Sequence, residues 1–276
     1  MKLIAIGDNV CDCYIDENIF FPGGNCVNVA VHAKRCGAQA VNYTGVFGND
    51  FMADYIMECL SKENVTTTNS RRMYAETSQP CVKLVDGDRV FVGGKPDSCQ
   101  RLVAMKMTKT DLEFAKGFDV CHISCYSNME NELKVLAGAV PLSFDFSDIK
   151  DDEYFKKVCP HLEYAFASGG ELTEEECKSL AEKLYTFGAK TVVVTRGSKG
   201  SLCFDGKQFY YQGIAKVDAV DTMGAGDSYI AAFLVHYTNN NDIQKAMEAA
   251  AEYSAQNCTK RGAIGYAHVM PHGEKF

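Results

Sequence analysis

Short runs of apolar, often β-branched residues alternate along the chain with longer segments in which apolar residues recur every three or four positions. The short runs predict strands buried on both faces, and the periodic segments predict helices that pack against them. The predicted strands span residues 2–7, 41–47, 119–124, 142–146, 164–168 and 191–195. The predicted helices span residues 25–36, 51–62, 173–187, 225–237 and 242–258. Gly37 and Gly188 stand where two of these helices are expected to end, since glycine accepts the backbone of a C-cap.

The alternation predicts one α/β domain over residues 1–276, with a mostly parallel central sheet between two layers of helices. Two stretches depart from it. Residues 10–22 are typical of a short hairpin, and residues 71–98 hold strand-like runs around the turn Asp86-Gly87-Asp88. Because no helix separates these runs, they do not fit a parallel sheet, and we expect them to form a small β-lid. A plain surface excursion is the alternative.

Composition and charge narrow the class of protein. The 276 residues are 46% hydrophobic and 23% charged, as in an ordinary globular enzyme or binding protein. No run approaches the ~20 apolar residues of a membrane span, and the apolar N-terminus is better explained as a first strand than as a signal segment. A net charge of −8 without a basic run argues against nucleic acid or an anionic membrane as partner. We therefore expect a cytoplasmic protein that acts on something small.

The thirteen cysteines are scattered, and none of them shows a paired CxxC spacing. They do not stand at metal-ligand spacing to the six histidines either. We expect reduced cysteines that act as small buried hydrophobic residues.

The run DTMGAGDSYIAAF, from Asp221 to Phe233, carries the clearest chemistry. Gly224 and Gly226 allow the backbone to turn so that several amide N–H groups converge at the start of a helix, where they form an anion site. Asp227 follows in the first helical turn. A carboxylate beside a phosphate would repel it unless it had another purpose, such as accepting the proton of an attacking hydroxyl group. The alternative is a capping aspartate after a plain turn.

This run resembles the second signature of the PfkB, or ribokinase-like, carbohydrate kinases, which is D-T-x-G-A-G-D before a helix of small apolar residues. Residues 23–30, GGNCVNVA, resemble the family's first signature, and residues 45–50, GVFGND, match its G-x-x-G-x-D. The order and separation agree, so the resemblance covers nearly the whole chain. It implies a ribokinase-like three-layer sandwich with a small β-lid. It also implies ATP and Mg²⁺ as cofactors and a small sugar as the acceptor.

The resemblance implies roles for individual residues. Asp227 becomes the general base, and the amides of Gly224, Ala225 and Gly226 become the anion hole over the transferring phosphoryl group. Carboxylates and amides at the end of a strand can hold vicinal hydroxyl groups at fixed angles. By the resemblance, the residues that bind the sugar hydroxyl groups are Asp8, Asp12, Gly24, Asn25 and Asn28. For both aspartates in this set, ordinary turn chemistry is the alternative.

The resemblance also implies a nucleotide segment, T-x-G-x-x-G, that begins at Thr195. Thr195 can offer a hydroxyl group, and Gly197 and Gly200 permit a close backbone approach, although a simple strand-turn-strand is the alternative. Gly262 resembles a segment near the adenine pocket. Asp221 belongs to a region where several family members bind a monovalent cation such as K⁺.

The family's N-x-x-E motif, which serves magnesium through water, is altered in this chain. Its matching place is the segment from Ser168 to Glu171, so Ser168 stands where asparagine is usual. Glu171 is retained as the candidate magnesium contact through water. A favourable charge at the start of a helix is an equally good interpretation of Glu171.

Scattered stretches in residues 8–168, among them DGDRVF and FDFSD, resemble the fructoselysine 6-kinases of this family. Such enzymes phosphorylate the 6-hydroxyl group of fructosamines, which are adducts of a sugar and an amino acid. For the amino-acid tail, Gln79, Arg89 and Phe91 are candidates in the lid. Arg89 could as readily pair with an aspartate of the neighbouring turn.

Two other functions stay open. The first is another small-sugar kinase, of the fructokinase or ribokinase type, and the second is a regulator that binds nucleotide or sugar without catalysis. An intact Asp227 favours an enzyme, because a pure binding protein needs no base at this place. In the family that this chain resembles, lids often pair between subunits, and an exposed edge of a β-lid invites such pairing; by that resemblance we expect a homodimer through the lid.

Overall fold

The computed structural model describes residues 1–85, 88–95 and 97–271, with the backbone alone at 84, 85 and 88–90. In chain order, its strands are β1 (Lys2–Gly7), β2 (Val10–Tyr14), β3 (Ile19–Gly23), β4 (Ala40–Phe47), β5 (Arg71–Arg72), β6 (Pro80–Val85), β7 (Asp88–Gly94), β8 (Val120–Ser124), β9 (Leu142–Asp145), β10 (Tyr164–Ser168), β11 (Thr191–Thr195), β12 (Ser201–Phe204), β13 (Phe209–Gln212) and β14 (His268–Val269). Its helices are α1 (Asn25–Arg35), α2 (Phe51–Lys62), α3 (Cys99–Leu102), α4 (Lys109–Ala115), α5 (Leu133–Ala137), α6 (Asp152–Val158), α7 (Glu174–Thr186), α8 (Ala225–Asn240) and α9 (Ile243–Asn257).

The larger of two sheets is mostly parallel. Within the described residues, its strands run in the order β13-β12-β11-β10-β9-β8-β1-β4-β5. Each neighbouring pair from β11 to β5 is parallel, whereas β12 and β13 form an antiparallel edge. Helices connect most of the parallel strands, as a crossover connection requires. The antiparallel hairpin at the edge was not predicted.

Strand β1 shows why this sheet lies between two layers. Leu3 and Ala5 pack into one hydrophobic cluster, to which α1, α2, α8 and α9 contribute. Ile4 and Ile6 pack into a second cluster, to which α5, α6 and α7 contribute. Successive side chains of a strand point to opposite faces, so both faces of the sheet are buried under helices. The predicted three-layer α/β architecture is confirmed.

The helix ends follow from local sequence chemistry. Gly37 and Gly188 adopt φ angles of 93° and 125° just after α1 and α7, as predicted for residues that follow a C-cap. At the start of α7, Thr173 and Glu176 form a capping box, in which each side chain accepts a hydrogen bond from the other's backbone amide. Among the described residues, no helix is long and apolar enough to cross a membrane.

The smaller sheet forms the lid, in the order β14-β3-β2-β6-β7. Strands β2 and β3 make the predicted hairpin, and β6 pairs with β7. The predicted lid segment 71–98 begins too early, because Arg71–Arg72 form β5 and pair with β4 in the larger sheet. The lid also includes β14, which was missed. The centre of the predicted turn, Asp86-Gly87, lies outside the described residues.

All thirteen cysteines lie in the described part of the chain, and all are free thiols. Eleven of them are buried and two are half-buried. Most of them are small apolar side chains of strands and helices, for example Cys11 and Cys81 in the lid and Cys121 in the larger sheet. This placement agrees with the prediction of buried hydrophobic cysteines.

Candidate active site

Two carboxylates lie at the carboxyl ends of parallel strands that flank β8 in the larger sheet. Asp8 follows β1, and Asp145 is the last residue of β9. Ser124 ends β8 between them, in register with Asp145, and its hydroxyl group donates to Asp8 Oδ1 at 3.0 Å. The carboxyl ends of parallel strands meet at one edge of a sheet, which is where ligands bind in open α/β folds. This edge is the centre of the candidate site.

Asp227 reaches the same edge from the first turn of α8. Gly224, the N-cap, has a left-handed φ of 72°, and a Cβ there would lie 2.7 Å from the Cβ of Ala263. The turn therefore needs glycine, as the sequence pattern indicated. Asn25 Nδ2 donates to Asp227 Oδ1 at 2.8 Å, and Asn28 Nδ2 donates to Oδ2 at 2.7 Å. Because both asparagines lie near the start of α1, two helix N-termini meet at the carboxylate.

Asn25 links Asp227 to a second carboxylate. Its Nδ2 also donates to Asp145 Oδ2 at 2.8 Å, and its Oδ1 lies 2.9 Å from His122 Nε2. Burial lowers the pKa of His122 to about 3, which keeps the imidazole neutral. Since Asn25 Oδ1 can only accept, His122 donates from Nε2, and its Nδ1 accepts from the Ser143 hydroxyl group at 3.0 Å. The amide of Asn25 is thereby held in one orientation.

The carboxylates of the site oppose one another's ionisation. Burial raises the pKa of Asp227 to about 8; the hydrogen bond from Asn28 lowers this pKa, and nearby carboxylates, with Asp145 first, raise it. Burial also raises the pKa of Asp145 to about 6, where its hydrogen bonds act to lower this pKa and Asp8 acts to raise it. A pKa near neutrality suits a general base. The same repulsion favours a proton or a cation among these groups.

Two glycines form a floor beside the carboxylates. Gly24 has a φ of 104°, and a Cβ there would lie 2.9 Å from the backbone oxygen of Asp8 and 3.0 Å from its Oδ2. At Gly23, a Cβ would lie 2.6 Å from Asp12 Oδ2 and 3.8 Å from Asn28 Oδ1. Larger residues would fill the space in front of these oxygens. The residues predicted to hold the sugar are thus gathered around Asp227 at this edge of the sheet, and together with Asp227 and Asp145 they are called the acceptor pocket below.

A cavity of about 950 Å³ adjoins the start of α8. Ala225 and Gly226 line it, together with Thr195, Gly197 and Gly200 of the predicted nucleotide segment. Residues 213–219, which lead from β13 towards α8, form another part of its wall and are mostly small or apolar. Such a volume and wall suit a nucleotide, with its base on apolar side chains and its phosphates at the amides of the helix start.

Other predicted ligand residues lie outside the lining of this cavity. Gly262 has a φ of 70°, stands against the ring of Phe21 in the lid, and donates its N–H to Asp221 Oδ2 at 2.9 Å. Asp221 is buried, and its Oδ1 accepts from the Met223 amide at 2.8 Å. Glu171 is exposed in the turn after β10. In residues 1–85, 88–95 and 97–271, no group of three or more His, Cys, Asp or Glu side chains is arranged to hold a metal ion.

The lid contacts the glycine run directly. The Tyr14 hydroxyl group on β2 donates to Asp221 Oδ2 at 3.3 Å. Of the candidates for an amino-acid tail, Gln79 is buried, with an Oε1 that accepts no hydrogen bond from the residues that the structure describes, whereas Phe91 is 60% exposed on β7. The Arg89 side chain lies outside the described residues. The tail-binding role of these residues stays a prediction.

Asp145 and His122 were not among the predicted site residues. A signal for Asp145 was present, because it is the next-to-last residue of a predicted strand, and strand ends carry ligand contacts in this class of fold. For His122, the signal was an ionisable residue inside an apolar strand, which needs a buried partner.

Relatives of known name match this chain along nearly its whole length. A family model described as pfkB family carbohydrate kinase matches residues 7–137 and 158–268. The fructosamine kinase FrlD of Bacillus subtilis (strain 168) is 43% identical over 269 residues, which cover 97% of this chain and 94% of the relative. The fructoselysine 6-kinase of Escherichia coli (strain K12) is 35% identical over 267 residues, which cover 95% and 100%.

A solved structure has the same fold. The ribokinase of Arabidopsis thaliana, complexed with ribose and ATP, aligns with a TM-score of 0.82 and 21% sequence identity. The alignment covers 95% of this chain and 94% of that chain. The predicted ribokinase-like fold is confirmed.

Proposed function

This chain belongs to the pfkB family of carbohydrate kinases, and from that premise we propose that it transfers a phosphoryl group from ATP to the 6-hydroxyl group of a fructosamine such as fructoselysine. The family predicted from the two glycine-rich signatures is confirmed. The observation that supports a fructosamine as the acceptor is the near full-length similarity to two kinases named for fructosamine and fructoselysine.

Asp227 acts as the general base. In support of this role, its carboxylate accepts a hydrogen bond from Asn25, and it lies in the same helical turn as Ala225 and Gly226, which line the nucleotide cavity. By taking the proton of the 6-hydroxyl group, it makes that oxygen a better nucleophile for in-line attack on the γ-phosphorus. Asn25 and Asn28 each donate to one carboxylate oxygen and so fix the direction in which the base faces.

The glycine run stabilises the charge of the transition state. The amides of Gly224, Ala225 and Gly226 lie at the positive end of α8, where orphan N–H groups and the helix dipole favour an anion. Mg²⁺ on the ATP phosphates supplies further neutralisation of charge. Glu171 suits a contact to it through water, because it is exposed just beyond Ser168, which pairs in register with Thr195 of the nucleotide segment.

For a monovalent cation, Asp221 is the residue that we propose. Its carboxylate is buried beside the glycine run and accepts hydrogen bonds from two backbone amides. A carboxylate in this position can also hold K⁺ close to the anion site. Initial rates with K⁺ replaced by tetramethylammonium would test this, and equal rates would remove the cation from the proposal.

The lid covers the acceptor and excludes water, which limits hydrolysis of ATP. Its strands β2 and β3 carry Asp12 and Gly23, so the lid contributes directly to the sugar pocket. We also propose that two copies pair through the lid edge at β7, where Phe91 and Val92 are exposed. Sedimentation of the wild type as a dimer and of Phe91→Ser as a monomer would support this pairing, whereas a monomeric wild type would contradict it.

The acceptor is tested by ADP release over fructoselysine, fructose and ribose. We expect kcat/KM for fructoselysine to exceed that for the free sugars by about tenfold or more, since the pocket loses contacts with the smaller acceptors. Equal or faster reaction of fructose or ribose would instead indicate a kinase of the fructokinase or ribokinase type. Binding of ATP without ADP release for any acceptor would indicate a regulator.

A further inference from the structure

The acceptor pocket holds more negative charge than a neutral sugar requires. Asp8, Asp145 and Asp227 meet at the ends of β1 and β9 and at the start of α8, and Asp12 adds a carboxylate from β2. The charged side chains that most affect Asp145 and Asp227 are all carboxylates. Sugar hydroxyl groups donate hydrogen bonds to carboxylate oxygens but do not neutralise their negative charge. Like charges that lie close together in a buried site repel one another, so these carboxylates favour a cationic ligand.

Asp145 stands at a fixed distance from the base. Asn25 Nδ2 lies 2.8 Å from Asp145 Oδ2 and 2.8 Å from Asp227 Oδ1, so one amide group separates the two carboxylates. Asp8 lies across Ser124, whose hydroxyl group donates to Asp8 Oδ1 and whose Cα pairs in register with Asp145. Asp145 and Asp8 therefore lie on either side of Ser124, close enough for Asp8 to raise the pKa of Asp145, and one amide group separates Asp145 from the base.

An unsatisfied oxygen in the same pocket also points to a ligand. Asn28 is 4% exposed, and its Oδ1 accepts no hydrogen bond within the described part of the chain. Its Nδ2 donates to Asp227, so the amide cannot turn without losing that bond. The free oxygen lies over the glycine floor, 3.8 Å from where a Cβ of Gly23 would be. A buried acceptor without a donor is costly, so the pocket suits a ligand that brings several N–H and O–H groups.

We propose that Asp145 and Asp8 bind a protonated secondary amine of the acceptor, carried by the CH₂ group on the anomeric carbon, which lies across the ring oxygen from the carbon that bears the reacting CH₂OH group. This inference rests on the proposed fructosamine-kinase function and names the residues that recognise the amine. A secondary ammonium group carries two N–H donors and one positive charge, so it can pair with two carboxylates at once. The hydroxyl group of fructose at the same carbon brings one donor and no charge. Asn28 Oδ1 accepts from a hydroxyl group of the same ligand.

The amine also acts on the base. A positive charge beside Asp145 offsets part of the repulsion that raises the pKa of Asp227. The base is then more fully deprotonated when an amine-bearing acceptor is bound than when a neutral sugar is bound. Asp145 thus serves recognition, and Asp227 carries out the proton transfer.

The test compares two acceptors that differ in one group. 1-Deoxy-1-propylamino-fructose carries the amine, and 1-O-propyl-fructose has an ether oxygen in its place. For each protein, kcat/KM is measured with both acceptors, and their ratio is the readout. The pocket variants are Asp145→Asn and Asp8→Asn. Asp148→Asn is the matched control, because Asp148 is an exposed carboxylate three residues beyond Asp145, in the loop that follows β9.

We expect the wild type to prefer the amine, and each pocket variant to lose about tenfold or more of that preference, because one of two paired charges is gone. Asp148→Asn should keep the wild-type ratio. Where turnover is too slow, the same ratio is taken from the dissociation constants of the two acceptors, measured by calorimetry. An unchanged ratio in both pocket variants overturns the inference and leaves the fructosamine function intact. A wild type without preference for the amine overturns the proposed function itself.

Discussion

The two halves of the candidate site are built in different ways. In the acceptor half, charged and amide side chains hold one another, as Asn25 does when it joins Asp145 to Asp227. In the nucleotide half, Thr195, Gly197, Ser198, Gly200 and residues 213–219 form much of the wall, mostly with small or apolar side chains. Recognition of the acceptor therefore depends on single side chains, whereas binding of the nucleotide depends on the course of the backbone. Substitutions should therefore affect recognition of the acceptor and binding of the nucleotide separately.

The largest effect is expected from Asp227→Asn. It keeps the size of the side chain but removes the base, so kcat should fall by about 10²–10⁴-fold. Binding of ATP, measured by calorimetry, should change little, because the glycine amides are untouched. Asp242→Asn, which alters the half-buried N-cap carboxylate of the next helix to another capping residue, is the matched control. Wild-type turnover in Asp227→Asn would remove this residue from the mechanism.

A pair of glycine substitutions compares the halves directly. Gly24→Ala forces an alanine to a φ of 104°, with its Cβ 2.9 Å from the Asp8 backbone oxygen, so we expect a loss of roughly 1–3 kcal/mol in the free energy of unfolding and a raised KM for the acceptor. Gly213→Ala adds a Cβ that meets nothing within 4 Å on the wall of the nucleotide cavity. That variant should stay within about 0.5 kcal/mol of the wild type. Equal damage by both variants in thermal unfolding would contradict the contrast between the halves.

The pH dependence should report the repulsion within the acceptor half. The base must be deprotonated to act, so kcat/KM for the acceptor should rise with pH and then level off. The midpoint of the rise should lie near the pKa of Asp227, about 8. Asp145→Asn removes a negative neighbour, which lowers the pKa of Asp227 and moves the midpoint to lower pH by about one unit. Asp148→Asn, at an exposed carboxylate, should move it less. A midpoint that stays in place in Asp145→Asn would mean that the two carboxylates are not coupled.

The smallest effect is expected in the nucleotide half. Val217 is 41% exposed on the wall of the cavity, so Val217→Ser removes part of an apolar contact and should raise the KM for ATP by roughly two- to fivefold. The KM for the acceptor should not change. Val220→Ser is the control, because Val220 follows in the same connection but does not line the cavity. A larger change in the KM for the acceptor than in the KM for ATP would show that this loop does not belong to the nucleotide half.

The parts of the site that are local in the chain could be predicted from the sequence. Gly224 and Asp227 stand within one turn, so their roles followed from glycine geometry and from the chemistry of a helix start. The parallel sheet followed likewise from short apolar strands that alternate with helices. Both predictions use patterns of residues that are close together in the sequence.

The remaining parts depend on how distant strands are ordered. Asp145 comes beside Asp8 only because β9, β8 and β1 are neighbours in the sheet, and periodicity does not encode that order. The boundary of the lid was wrong at Arg71 for a related reason. Strands of two residues, such as β5 and β14, are too short to show any alternation.

The buried cysteines make the lid and the domain separately visible to a thiol reagent. Burial raises the pKa of Cys81 in the lid and of Cys121 in the larger sheet, so neither forms much thiolate at neutral pH while its surroundings stay closed. Each is labelled only when its own region opens, and the labelling rate measures how often that happens. The natural sequence thus allows opening of the lid to be timed against opening of the core, with and without bound substrates, before any probe is introduced.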